Sequence, residues 1–251
     1  MRLTKWSVAG LVVSLLLLTA VMSRGQTAAK KVKVLVVTGF DVGSHKWRQT
    51  TPLVRTTLEK TGRFDVRVCE DVGIFESSAL EKYDVVVLNY GYWSAPDPSD
   101  RGKESLLSHV KAGKGLVALH FACSSFQDWQ EYRELLGRVW KKRVGGHGPR
   151  GKFMVKFKKQ AHPITRGLSD FEADDELYAK LTGDAYIEVL ATADSEWSGR
   201  EEPILFVKKY GKGRVVHNVL GHDMRARNNK AYLRLLVRCV EWAASGKVTA
   251  E

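Results

Sequence analysis

The sequence predicts an α/β fold: a mostly parallel sheet wound on both faces by helices, with an antiparallel extension in its second half. Three observations predict it. Apolar, β-branched runs at 32–40, 64–69, 83–89 and 116–119 are interspersed with helically spaced stretches at 47–61 and 99–112, and a parallel crossover needs such a helix to return the chain. The run from Leu116 to Leu119 is apolar without interruption, as expected of a strand buried on both faces. After residue 150 the pattern changes to short strands and a tight turn.

The first helix, 47–61, has Leu53, Val54 and Leu58 on one side and closes at Gly62. The second, 99–112, starts on Ser99 as a cap, turns Leu106, Leu107 and Val110 inward and stops at Gly113. In the second half, 153–157 alternates like an edge or antiparallel strand, and 186–192 reads as another. The runs 203–210 and 213–220 flank Gly211-Lys212, a two-residue connection that predicts a hairpin. The surrounding YGKGR lacks the spacing and following helix of a phosphate loop. A final helix over 228–245 presents Tyr232, Leu235, Leu236, Cys239, Val240 and Trp242 on one broad face and ends at Gly246.

Residues 1–29 are read as a leader: Arg2 and Lys5 precede an apolar stretch at 8–22 and a small, polar segment, the order of a secretory signal peptide. An uncleaved anchor is the alternative; either way the folded part is exported, to the periplasm or beyond the cell. Residues 30–247 are expected to form one domain, followed by a tail at 248–251, with no membrane span once the leader is removed. The formal charge of +12 loses Arg2, Lys5 and Arg24 with the leader and falls to about +9. The excess lies in Lys141-Lys142-Arg143, 152–159 and 225–230. Without a basic helix interleaved with aromatics, these read as solvated faces and exclude a nucleic-acid partner. Cys69, Cys123 and Cys239 form no metal spacing and are expected as three buried, reduced thiols, with one disulfide plus one free thiol as the alternative.

In a doubly wound sheet the carboxyl ends of the strands open on one rim, where ligands bind. His45 follows the first strand, Tyr92 and Trp93 follow the third, His120 ends the fourth, and His222-Asp223 follows the last. Trp47 and Trp129 are expected beside them. This grouping predicts a pocket. His109, on a helix, and His217, inside a strand, are not assigned to it, and His162 beside Pro163 reads as a loop-fixing residue.

The ordered set KGLVALH ending in His120, YRELLG at 132–137, Gly146-His147, HPIT at 162–165, DELY at 175–178, YGKGR at 210–214, LGHD at 220–223 and Trp242-Ala243 resembles the ThuA family, named for trehalose utilisation, over about residues 32–246. The resemblance implies a flavodoxin-like fold related to class I glutamine amidotransferases. It also implies a role in uptake or breakdown of disaccharides, in some settings through 3-keto sugars. In the amidotransferases the matching strand ends in an elbow bearing a cysteine nucleophile. Here His120 stands at or near that place, which disfavours glutaminase chemistry. Cys123 as a shifted nucleophile, or Ser124 and Ser125 as hydrolase nucleophiles, lack the elbow glycines.

The residues lead to two functional classes. The first is an enzyme acting on a sugar or glycoside, in which His120 or Glu176 moves a proton and His45, Tyr92, Trp93, His147, His222 and Asp223 hold substrate. The second is a carbohydrate-binding module using the same pocket. The abundance of ionisable groups favours the enzyme. His45, His120, His147 and His222, with Glu176 or Asp223, could also converge on a divalent metal such as zinc. A metal-free pocket that hydrogen-bonds sugar hydroxyls is the alternative.

Overall fold

The computed structural model describes residues 30–95 and 97–249; the leader expected at 1–29 and the last two residues of the tail lie outside them. The first half follows the predicted alternation. Strand β1 (Val32–Val37) leads through helix α1 (Trp47–Glu59) to β2 (Phe64–Cys69), and β3 (Val85–Leu88) through α2 (Asp100–Lys111) to β4 (Gly115–Leu119). A short helix α3 (Gln130–Leu136) follows. The second half contributes β5 (Gly146–His147), β6 (Gly151–Phe157), β7 (Phe171–Asp175), β8 (Tyr178–Ala179), β9 (Glu188–Ser195), β10 (Arg200–Tyr210) and β11 (Gly213–Asn218). The one-turn helix α4 (Met224–Arg227) and the long α5 (Lys230–Ser245) close the chain.

Among the described residues, nine strands form one sheet in the order β2-β1-β3-β4-β11-β10-β9-β6-β7. From β2 to β11 the pairing is parallel, and from β11 outward it is antiparallel. The parallel part has the flavodoxin-like order, with β11 in the fifth place. Because β1 to β2 and β3 to β4 step in opposite directions across the sheet, right-handed crossovers put α1 and α2 on opposite faces. α5 packs on β4 and β11 and touches α1. β3 and β4 are buried along their whole length, the reason their sequences show no alternation.

The hairpin at Gly211-Lys212 forms as expected, pairing Tyr210 with Gly213. The stretch at 153–157 forms an antiparallel strand, one of the two forms expected of it, and the edge beside it is β7, whose sequence FEADD carries too many acids to read as a strand. Two expectations are corrected. The last helix starts at Lys230, capped by the Asn229 side chain on the Ala231 N–H at 2.9 Å, with α4 standing apart before it. Trp47 and Trp129 are buried, so neither belongs to an open pocket: Trp47 donates its indole N–H to Asp41 at 2.7 Å, and Trp129 packs among Phe126 and Tyr132. No helix among the described residues is long and apolar enough to cross a membrane.

Candidate active site at the strand ends

β4 delivers His120 into a short 3-10 turn at φ 43°, a left-handed conformation that costs a non-glycine residue energy. Room for this elbow comes from the neighbouring strand end. A Cβ on Gly91 would lie 2.2 Å from the Phe121 carbonyl oxygen, so only glycine fits there. The His120 ring is fully buried, and its Nδ1 sits 2.7 Å from the Val219 carbonyl at the end of β11. A carbonyl only accepts, so Nδ1 carries the hydrogen and Nε2 faces inward.

Nε2 of His120 points at Glu176 Oε2 from 3.8 Å, and Nδ1 of His222 lies 3.0 Å from the same oxygen. Nε2 of His147 approaches the other oxygen, Oε1, at 3.5 Å. His45 completes the group: it stacks flat on Phe121 with ring centres 4.1 Å apart, and its Nε2 meets the Tyr178 hydroxyl at 3.2 Å. One ligand-type atom from each of His45, His120, His222 and Glu176 lies within 4.8 Å of all the others. His147 stands outside this set, so the structure corrects its expected place among the metal ligands. Its side chain is 36% exposed, where that of His120 is 0% exposed.

Electrostatics follow from the crowding. Burial, with the charges of His120 and His222 next, pushes His45 down to about 2. Burial alone would raise Glu176, but the imidazoles of His120 and His222 outweigh it and hold the carboxyl below its ordinary range. Burial would lower His222, yet the adjoining Glu176 carboxylate raises it. Glu176 is therefore held as the carboxylate, and it favours positive charge on His222 beside it. Burial pushes the Cys123 thiol up to about 12, which removes it as a nucleophile near neutral pH. Cys69 and Cys239 are also free thiols.

A buried polar layer aims these side chains. Asp175, at the end of β7, accepts the backbone N–H of Gly221 at 2.6 Å, of His222 at 3.0 Å and of Glu176 at 2.8 Å. Arg227, fully buried, donates to the Gly221 carbonyl at 2.7 Å and to Asn89 Oδ1 at 2.8 Å, tying the His222 loop to the end of β3. Asn89 in turn donates to Thr51 at 2.8 Å. The expected substrate contact Asp223 is engaged elsewhere. One of its oxygens caps α4 on the Ala226 N–H at 2.9 Å, and the other pairs with Arg150.

Tyr92 and Trp93 stand farther out. Tyr92 stacks between Phe40 and Trp93, Trp93 lies 6.3 Å from Trp140 between ring centres, and Trp140 meets Tyr178 edge-on at 4.6 Å. Tyr178 then packs on His120 at 4.0 Å. An aromatic wall thus runs from Trp93, 45% exposed, to the imidazole cluster.

A family profile described as trehalose utilisation matches residues 33–243. The chain belongs to the ThuA family. A ThuA-like protein from Parabacteroides merdae superposes with a TM-score of 0.80 at 29% identity, covering 88% of this chain and 93% of its own. A second, from Bacteroides uniformis, gives 0.70 at 19% identity, covering 86% and 92%. A β-galactosidase from Rahnella sp. R3 matches with a TM-score of 0.58 at 16% identity over 84% of this chain but 31% of its own, a likeness of fold alone. No curated protein matches the chain significantly. Membership associates this ThuA-family protein broadly with carbohydrate utilisation.

Asp175, Tyr178, Trp140 and Arg227 were not singled out as site residues by sequence reasoning. For Asp175 and Tyr178 a signal existed, since both flank Glu176 in DELY. Arg227 and Trp140 carry none, because each looks like one more member of a basic or aromatic surface stretch.

Proposed function

We propose that this ThuA-family protein is an enzyme directed at a disaccharide or related glycoside, 3-keto forms included. The observation that carries this reading is the join between the aromatic wall and the cluster: Trp140 touches both Trp93 at the rim and Tyr178 beside His120. Flat sugar faces stack on aromatic rings, and the reacting end of a sugar seated on Trp93 and Trp140 would face Glu176 and His147.

Hydrolysis, elimination and isomerisation of such sugars all need a proton moved next to an oxygen-bearing carbon. His147 is placed for that step. Its Nδ1 lies 2.7 Å from the Gly148 carbonyl, which fixes the hydrogen there and leaves Nε2 to take or give a proton. Glu176 Oε1 lies 3.5 Å from that nitrogen. His120, buried and held on Val219, lies behind Glu176 and does not touch sugar.

Tryptophan fluorescence titrated with trehalose and with its 3-keto derivative tests the sugar assignment. The wall predicts a saturable change with at least one of them, weakened by Trp93→Ala and by Trp140→Ala. A flat titration with both sugars, or one indifferent to both substitutions, would overturn it.

A further inference from the structure

We propose that His45, His120, His222 and Glu176 bind one divalent transition-metal ion of the zinc class. The inference rests on the reading of this cluster as the functional site and goes beyond it by naming a cofactor. Three imidazoles and one carboxylate are a donor set for zinc, manganese, iron, cobalt or nickel rather than for magnesium or calcium, which prefer all-oxygen shells.

His120 supplies the strongest reason. Its Nδ1 hydrogen is committed to the Val219 carbonyl, so Nε2 presents a bare lone pair toward an ionised carboxylate. That nitrogen is fully buried and has no hydrogen-bond partner. Two electron-rich atoms facing one another in a dry place repel unless a cation lies between them. A proton on one ring would satisfy only that ring's contact with Glu176; a metal ion satisfies all four groups together.

The dimensions also suit an ion. Four donor atoms within 4.8 Å of one another reach zinc distances of about 2.0–2.1 Å if each closes inward by about 1 Å or less. Side-chain rotation alone can supply that. The surroundings also fix these side chains: Val219 holds the His120 Nδ1, Ser44 lies 3.0 Å from the His45 Nδ1 with the Phe121 ring stacked on that imidazole, and Asp175 accepts the His222 backbone N–H. Glu176 would ligate through Oε2 and keep Oε1 toward His147. The ion would then face the inner end of the aromatic wall, suited to polarising a carbonyl or hydroxyl oxygen of the sugar.

The test is metal analysis of the full chain after zinc loading and desalting. Wild type is expected to retain about one equivalent of zinc, as is His147→Gln, while His45→Gln and His222→Gln weaken binding by at least about 100-fold. Less than about a tenth of an equivalent in wild type, or full retention in the His45→Gln, His222→Gln double variant, overturns the proposal. Circular dichroism checks that the variants fold. If one does not, cobalt-loaded wild type decides. Intense visible bands of a low-coordinate nitrogen and oxygen shell support the site, and the faint spectrum of hydrated cobalt rejects it. A protein that binds sugar but no metal overturns this inference and leaves the sugar reading intact; one that binds metal but no sugar does the reverse.

Discussion

His120 combines a positive φ, complete burial and a fixed tautomer, and each condition depends on a neighbour. Gly91 makes the backbone turn possible, so Gly91→Ala, whose Cβ would meet the Phe121 carbonyl at 2.2 Å, is expected to destabilise the protein by about 1–3 kcal/mol. Urea unfolding checks this, and an unchanged midpoint would contradict the packing. His217 gives a pH prediction of a different kind. Its two ring nitrogens are buried in β11 without partners, and burial lowers its pKa to about 3. The unfolded chain takes up this proton near the ordinary histidine value while the folded chain resists it down to about 3. Stability from this residue is therefore complete above the ordinary value and is lost as the pH falls toward 3. By pH 4.5 the loss amounts to roughly 2–3 kcal/mol. His217→Leu should flatten that part of the melting-temperature profile; an unaltered slope would show that His217 is protonated in the folded state.

At the scale of elements, the site depends on pieces that hardly look like secondary structure. β5 and β8 are two residues each, yet their pairing sets His147 opposite Tyr178 and closes the cluster from above. β7 ends on Asp175, whose carboxylate holds three backbone N–H groups around the His222 loop. Asp175→Ala would leave those donors unpaired in a buried place, a cost of about 1–3 kcal/mol for each one that water does not reach. Hydrogen exchange at Gly221 and His222 should accelerate along with the loss of stability, and exchange as slow as in wild type would refute the role given to Asp175.

The same contrast explains what could be read from the sequence. β3 and β4 announce themselves because a strand buried on both faces must be apolar throughout, and the histidines at the ends of β4 and β11 follow from their position. β7 escapes notice because two of its three acids, Asp174 and Asp175, serve Arg150 and the backbone rather than solvent. Asp223 and His147 each close a recognisable motif, and only three-dimensional placement shows that Asp223 turns to Arg150 while His147 turns to Glu176. Arg227 looks like surface charge in sequence and lies 1% exposed under the site.

For the whole molecule, the parallel half of the sheet brings His45, His120 and His222 to one rim, while the segment after β7 supplies Glu176 and the separate two-stranded β5–β8 sheet supplies His147 and Tyr178. Neither group of elements holds the site alone. The leader read at 1–29 adds a prediction at this scale: the protein recovered from its native cell should be in the exported fraction. Recovery from the cytosol with the leader intact would contradict that reading.

The central claim, that the cluster performs chemistry on a sugar, is tested most directly by following conversion of 3-keto-trehalose by wild type, Glu176→Gln and His147→Ala, with sugar binding measured in parallel. The structure predicts turnover in wild type and a loss of roughly 100- to 10,000-fold in both variants with binding largely retained. Binding without turnover in wild type, or turnover unaffected by either substitution, would contradict it.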